Sequence, residues 1–264
     1  MLPHLLPLVP PRLSDYYEPF LGGGAFFFAI CSRGTNFRAH LSDINSELIN
    51  SYKVIKDRPG DLIELLWRLQ HEYYHSKSMS EYFYEKRKWR PSDSIESAAR
   101  LIFLNKTCYN GLYRVNSRGE FNVPFGRYKK PKIMDVENIQ AVSRDLRGTN
   151  AELRSGDYRS FLSNCGKNDF VYLDPPYQPK SRTSSFTDYA PGGFSEKDQL
   201  ELAEEFKKLV DRGCTVLLSN SETALTVRLY QDYRVGRVMV NRPINSVGSG
   251  RTGYEELIVL GNRR

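Results

Sequence analysis

The order of apolar and polar positions predicts strands alternating with helices. Tyr16 to Phe20 reads as a short buried strand running into Leu21-Gly22-Gly23-Gly24, and Ala25 to Ile30 as a buried helix start. Phe37 to Leu41 is a second strand, ending at Asp43. A helical stretch begins near Glu47, is broken by Pro59-Gly60 and resumes over Asp61 to Tyr74, with Leu62, Leu65, Leu66 and Leu69 at helical spacing. Ser94 to Lys106 puts Ile95, Ala98, Ala99, Ile102 and Phe103 on one helix face. Strand patterns return at Phe170 to Leu173, Thr215 to Leu218, Val235 to Val240 and Leu257 to Leu260. Ser195 and Asp198 form a capping box for a helix reaching Val210, with Gly213 beyond its end.

This rhythm belongs to a mostly parallel sheet covered on both faces, a Rossmann-like α/β fold. The last two strands, joined by the Gly/Ser-rich stretch from Asn245 to Gly253, form an antiparallel edge. The α/β domain comes in two sequence pieces, residues 1–55 and 146–264. A mostly helical lobe, residues 56–145, is inserted between them, with a hairpin-like segment near 109–128. A length of 264 residues accommodates this arrangement.

Charge sharpens the division. The net charge is +7, yet Lys86 to Lys132 alone holds 12 Lys or Arg and three Asp or Glu, so this segment carries +9 and the rest −2. A basic field confined to one segment fits a lobe facing a polyanion, although a solvated surface would look the same. No apolar run reaches the roughly 18 residues needed to cross a bilayer, which excludes a membrane protein. Met1 to Pro11 lacks the features of a secretion signal, so a cytoplasmic location is expected. Cys31, Cys108, Cys165 and Cys214 are too scattered for a disulfide framework or a thiolate metal cluster.

Four constellations carry chemistry. Glu18-Pro19-Phe20-Leu21-Gly22-Gly23-Gly24 sets a glycine-rich turn directly after a strand, where backbone N–H groups can approach a ligand, or where a tight turn is simply needed. It is neither G-x-G-x-x-G nor a Walker A loop. Asp43 ends the next strand and can accept hydrogen bonds from ribose hydroxyls, cap the following helix, or both. Asp174-Pro175-Pro176-Tyr177 follows the strand at Phe170 to Leu173; a carboxylate beside a rigid backbone carbonyl can receive both protons of an exocyclic amine while Tyr177 stacks on a planar base. That set suits group transfer to an amine better than hydrolysis, although a bare proline turn is the alternative. In the basic segment, Tyr109, Asn110, Arg114, Asn116, Arg118, Phe121, Asn122, Pro124, Arg127 and Tyr128 interleave aromatics with groups that can read bases, as would a packed hairpin with exposed arginines. His71-Glu72-Tyr73-Tyr74-His75 matches H-E-x-x-H formally, but no third ligand is evident, and both histidines are expected on the surface. No metal is expected.

On these residues the sequence resembles the Dam-like DNA adenine-N6 methyltransferases that act at GATC. The resemblance rests on E-P-F-x-G-G-G, the D-x-N at Asp43 and Asn45, N-G-L-Y-R at Asn110 to Arg114, R-G-E-F-N-V-P-F-G-R-Y-K at Arg118 to Lys129, Gly156-Asp157 and D-P-P-Y, and it spans Tyr16 to the end. It implies S-adenosylmethionine as cofactor, bound by Glu18, Pro19, Phe20, Gly22, Gly24, Asp43, Asn45, Asp157 and Asp174, with Asp43 near the ribose and Asp157 near the cofactor adenine. It implies catalysis at Asp174, Pro175, Pro176 and Tyr177. The segment Gln178 to Phe194 is polar, Ser/Thr-rich and long enough to be a lid, with Phe186 and Tyr189 as candidate lining residues. The resemblance implies double-stranded DNA as partner, held by Tyr109, Asn110, Leu112, Arg114, Asn116, Arg118, Asn122, Pro124 and Arg127: Arg114 reads a guanine, Tyr109, Asn110 and Leu112 act at the disrupted base pair, and Pro124 and Arg127 position the duplex. A monomer is expected, alongside a restriction endonuclease of the same specificity that is not stably bound. Family members carry a K-W-x-G-G-K segment, closing over the cofactor, just before the L-L-P that here is Leu5-Leu6-Pro7. This sequence starts too late to contain it, which points either to weakened cofactor binding or to a misassigned or truncated start; on the first reading the alternative is a catalytically impaired DNA-binding or regulatory protein of the same fold.

Overall fold

The computed structural model describes residues 1–34, 36–177, 194–240 and 254–262. In chain order the elements are α1 (Leu2–Leu5), β1 (Asp15–Glu18), α2 (Ala25–Cys31), β2 (Arg38–Asp43), α3 (Ser46–Asp57), α4 (Pro59–His75), α5 (Met79–Lys88), α6 (Ser94–Thr107) and α7 (Val136–Gly148). There follow β3 (Glu152–Ser155), α8 (Tyr158–Leu162), β4 (Phe170–Leu173), α9 (Glu196–Asp211), β5 (Thr215–Ser221), α10 (Ala224–Leu229), β6 (Arg234–Val240) and β7 (Tyr254–Gly261). The fold is mixed α/β. It divides into two compact units: residues 1–44 with the described residues from 156 onward, and residues 45–155.

In the first unit the strands run in the order β2-β1-β4-β5-β7-β6. β1 pairs in parallel with β2 and with β4, and β4 in parallel with β5, whereas β7 is antiparallel to both β5 and β6. β4 is buried along its whole length, as its unbroken Phe-Val-Tyr-Leu run requires of a central parallel strand. Its alternate residues serve two faces. Val171 and Leu173 join Val216, Leu218, Leu202, Phe206 and Leu209 in one cluster, with α9 as cover. Phe170 and Tyr172 meet Phe26 of α2, with ring centroids 6.2 and 4.2 Å away, and Tyr16 of β1 lies among Phe26, Phe27 and Phe37 on that side. α9 starts at the expected capping box: Ser195 accepts from the Asp198 N–H while Asp198 accepts from that of Ser195.

The second unit is mainly helical. Leu62, Leu66, Leu69 and Tyr73 of α4 pack with Phe83 of α5 and with Ala98, Ala99 and Phe103 of α6. The sequence expectation errs at Pro59-Gly60, which opens α4 instead of interrupting it. Proline is acceptable in a first turn, where its missing N–H has no partner to lose, and the break falls on Arg58. Beyond α6 the chain forms an irregular hairpin held by antiparallel bridges between Cys108 and Phe125 and between Val115 and Phe121.

Candidate active site

Parallel pairing of β2, β1, β4 and β5 brings their carboxyl ends to one edge of the sheet. From β1 the chain goes first to β2 on one side and later to β4 on the other, so the strand order reverses between β1 and β4. A crevice outside the strand ends at such a point is where open α/β sheets bind ligands. Glu18 to Gly24, Asp43, Asp174 to Tyr177 and Ser219 to Ser221 all lie at this edge.

The glycine-rich segment is both a tight turn and an open one. Leu21 N–H donates to Ser42 O at 2.9 Å and Gly24 N–H to Leu21 O at 2.7 Å, closing the turn. Gly22 sits at φ +47°, and the N–H of this residue donates to Asp43 Oδ2 at 2.9 Å. A Cβ on Gly22 would meet nothing within 4 Å, so the backbone angle rather than crowding calls for glycine, and the turn faces open space. Asp43 is not the cap of α3: Asn45 is, its Oδ1 accepting from Leu48 N–H at 3.2 Å. Gly156 N–H donates to Asp43 O at 3.1 Å, which brings Asp157 to the same region. Asp157 caps α8 and binds the Arg159 guanidinium through both carboxylate oxygens, at 2.9 and 2.7 Å, which holds its carboxyl below the usual range. The Phe20 ring lies 5.2 Å from that of Tyr158 and 6.1 Å from that of Phe194.

The Asp174–Tyr177 turn is fastened from three sides. Ser219 Oγ is 2.7 Å from Asp174 Oδ1, and Tyr172 Oη is 2.8 Å from Ser219 Oγ. Gln199, fully buried on α9, donates through Nε2 to Pro176 O at 3.2 Å, while its Oε1 accepts from Asn220 Nδ2 at 2.9 Å. Tyr177 Oη reaches Glu256 Oε2 at 3.4 Å. Burial, then the carboxylates of Asp174 and Glu256, push the Tyr177 hydroxyl up, so it stays protonated. Asp174 itself is exposed at the edge, and Pro175 is buried behind it.

Glu18 is the electrostatic anomaly of the site. It is 2% exposed and accepts from Tyr16 Oη at 2.7 Å. Burial pushes its carboxyl up to about 8, with Asp174 and Asp43 adding to the rise and the Tyr16 hydroxyl opposing it. Three carboxylates thus share one region, an environment that favours a positively charged ligand. A sulfonium-bearing amino acid attached to a nucleoside fits this set of groups: acceptor carboxyl groups for the cationic part, the aromatic rings around Phe20 for a flat base.

In the second unit the hairpin is built by its own polar groups. Tyr109 N–H donates to Pro124 O at 2.8 Å, Gly126 N–H to Thr107 O at 2.9 Å and Asn122 N–H to Arg114 O at 3.0 Å. Asn116 is spent on the turn: Oδ1 accepts from the N–H groups of Arg118 and Glu120 at 2.9 and 3.0 Å, and Nδ2 donates to Glu120 Oε2 at 3.0 Å. Arg114 Nε donates to Asn122 Oδ1 at 2.7 Å. Tyr109, 49% exposed, stands outward, as do Asn110, Arg118, Pro124 and Arg127, while Leu112 is half-buried.

Of the residues singled out from sequence, Glu18, Pro19, Phe20, Gly22, Gly24, Asp43, Asp157 and Asp174 to Tyr177 come together in the first unit. Asn45 and the nine hairpin residues belong to the second. Tyr158, Gln199, Ser219 and Glu256 are not among the residues singled out from sequence, and Phe194 is there only as the end of the lid segment; the polar Ser-Asn-Ser that follows the apolar run of β5 is the one available signal. His71 and His75 are exposed, and among the described residues no group of three or more His, Cys, Asp or Glu side chains is placed so that it could hold a metal ion. Among those residues, too, no helix is long and apolar enough to cross a membrane. The segment proposed as a lid lies mostly outside the described residues, Phe186 and Tyr189 included.

Known proteins match almost the whole chain. The D12 class N6 adenine-specific DNA methyltransferase family matches residues 1–244. The type II methyltransferase M1.LlaDCHI of Lactococcus lactis subsp. cremoris is 40% identical over 265 residues, covering 98% of this chain and 90% of the relative. The type II methyltransferase M.MjaIII of Methanocaldococcus jannaschii is 40% identical over 258 residues, covering 94% and 89%. A DNA adenine methylase of Escherichia coli K12 is 36% identical over 253 residues, covering 95% and 87%.

Proposed function

The chain belongs to the D12 class N6 adenine-specific DNA methyltransferases, and we propose that it methylates the adenine of GATC in duplex DNA, with Asp174 and the Pro175 carbonyl holding the amine. S-adenosylmethionine, when bound, supplies a methyl group on a positively charged sulfur. The cofactor is held by Phe20, the Gly22–Gly24 turn and Asp43, with Glu18 behind them and Asp157 toward the base. The target adenine leaves the duplex to reach this edge, as chemistry on a base atom requires. Asp174 Oδ and Pro175 O accept from the two N6 hydrogens and turn the nitrogen lone pair toward the crevice, and Tyr177 stacks on the base. Their contribution is orientation and electrostatics. In the second unit Arg114 reads a guanine, Tyr109, Asn110 and Leu112 occupy the opened base pair, and Asn122, Arg118, Pro124 and Arg127 hold the duplex. Two relatives bear the name type II methyltransferase, which favours a role in protecting DNA from a restriction endonuclease of the same specificity, acting as a separate monomer.

The observation that carries this reading is the convergence of Asp174, Asp43 and Glu18 at the reversal point of the sheet. The test is methyl transfer by Asp174→Ala onto a GATC duplex and onto duplexes with single changes in that site. Loss of turnover with cofactor binding retained supports the role of Asp174. Turnover equal to the parent's removes it, and equal methylation of all duplexes removes GATC as the target.

A further inference from the structure

We infer that Ser219 is a positioning residue that aims the Asp174 carboxylate, with its own hydroxyl proton steered by Tyr172. This deepens the reading above and rests on Asp174 being the group that holds the amine.

The sheet register sets up the contact. Tyr172 pairs with Leu217 and Leu173 with Leu218, so one step further along these parallel strands Asp174 stands beside Ser219. Because side chains alternate along a strand, Tyr172, Asp174 and Ser219 fall on the same face. Ser219 is fully buried and Tyr172 3% exposed, whereas Asp174 opens to the crevice. Proton counting then fixes the direction of the chain. A serine hydroxyl has one proton, and a carboxylate can only accept; Ser219 therefore donates to Asp174 Oδ1, and Tyr172 must donate to Ser219. Burial, then the neighbouring Asp174, push the Tyr172 hydroxyl far up, so it remains a donor throughout the working range. Its ring is held against Phe26, with centroids 4.2 Å apart, which fixes the start of the relay.

A serine with no such neighbour could rotate its proton elsewhere. The Tyr177 hydroxyl also bonds Ser219 and Asp174, and Glu18 faces the same carboxylate; within that set the Tyr172–Ser219–Asp174 chain polarises in one direction, stabilises the ionised carboxylate and helps fix the plane in which it accepts from substrate. Gln199 serves as a contrast, since it fastens the same turn at Pro176 O without touching the carboxylate.

The experiment compares Ser219→Ala, Tyr172→Phe and Gln199→Ala with the parent chain in single-turnover methylation of duplex DNA from pH 4.5 to 9, each also in a Glu18→Gln background that removes the neighbouring carboxyl titrating in this range, with cofactor binding and thermal melts in parallel. For Ser219→Ala the methylation rate is expected to fall about tenfold or more, with cofactor affinity within about twofold of the parent. Its acidic limb is expected to move up by roughly one pH unit, because the ionised carboxylate has lost a donor. Tyr172→Phe, which keeps the ring packing, moves the limb the same way by less. Gln199→Ala lowers the rate with the limb in place. Parental rate and limb in both Ser219→Ala and Tyr172→Phe overturn the inference, as does a limb shift of equal size in Gln199→Ala. Asp174→Ala separates the two levels: if it turns over like the parent the active-site reading itself fails, whereas a dead Asp174→Ala beside an unaffected Ser219→Ala rejects only the relay.

Discussion

Gly22 N–H donates to Asp43 Oδ2 at 2.9 Å, so the turn that follows β1 is tied to the last residue of β2. The carboxylate thereby organises the loop from the neighbouring strand, whatever else it binds. Asp43→Ala is expected to cost about 1 kcal/mol of stability, the scale of one partly solvated bond to a charged acceptor. Gly22→Ala is expected to cost a similar ~1 kcal/mol by forcing a side-chain-bearing residue to φ +47°. Both should weaken S-adenosylmethionine in calorimetric titration, with Asp43→Asn, which keeps an acceptor oxygen, falling between parent and Asp43→Ala. Unchanged affinity in Asp43→Ala would detach this carboxylate from the cofactor site.

Glu18 makes stability depend on pH in a direction opposite to that of an ordinary carboxylate. Its carboxyl is pushed from the usual 4.5 up to about 8 in the folded protein. Below pH 4.5 it is protonated in both folded and unfolded chains, and the full stability is present. As pH rises from 4.5 to about 8 the unfolded chain ionises freely and the folded one resists, so this contribution is lost progressively. Glu18→Gln, which keeps an acceptor for Tyr16 Oη, should therefore gain in melting temperature over the parent between pH 5 and 8, with the gain level above that. A gain independent of pH would show that Glu18 is not the titrating group. Cofactor at saturation should shrink the difference, because a bound cation favours the ionised form.

How much of this was legible in the sequence depends on whether burial or pairing shaped each element. Phe170 to Leu173 was readable to the residue, because a strand buried on both faces must be apolar throughout. The α9 capping box was equally plain, since Ser195 and Asp198 state it locally. β5 was read as ending at Leu218, yet it continues to Ser221. Its last three residues pair with Ile258, Leu257 and Glu256 of β7, and their polar side chains are satisfied within the site rather than by apolar packing. The very residues that aim the Asp174–Tyr177 turn were thus hidden by their polarity. α5 was missed for another reason: Phe83 is its one fully buried residue, too thin a stripe to show periodicity. At the opposite extreme, Asn116 carried a base-reading pattern in sequence but is occupied by turn hydrogen bonds.

Gly126 stands where backbone meets backbone. A Cβ there would lie 2.5 Å from Cys108 O and 2.5 Å from Tyr128 Cε2, and the first of these neighbours cannot swing away. Gly126→Ala is expected to cost about 1–3 kcal/mol, the usual scale of overpacking. Because the hairpin and the cofactor edge belong to different units, duplex binding should weaken while cofactor affinity stays at the parental value. Equal loss of both would mean that the damage is global unfolding, visible as a collapsed melting transition.

Arg114 is held by its Nε–H, which donates to Asn122 Oδ1 at 2.7 Å, and the strand bond from Asn122 N–H to Arg114 O closes the pair. The two terminal guanidinium nitrogens then form the outer fork that can meet guanine O6 and N7 together. Arg114→Ala is expected to lose about 1–3 kcal/mol of discrimination at that guanine, measured as the ratio of kcat/KM on GATC and on a duplex changed at G alone. Asn122→Ala should lose part of the same discrimination, and the double variant no more than Arg114→Ala, since the two side chains act as one unit. A phosphate contact would behave otherwise: all duplexes would weaken alike, and the dependence of binding on salt would flatten by about one counterion. Titration of parent and variants at several salt concentrations distinguishes the two, and uniform weakening would take base reading away from Arg114.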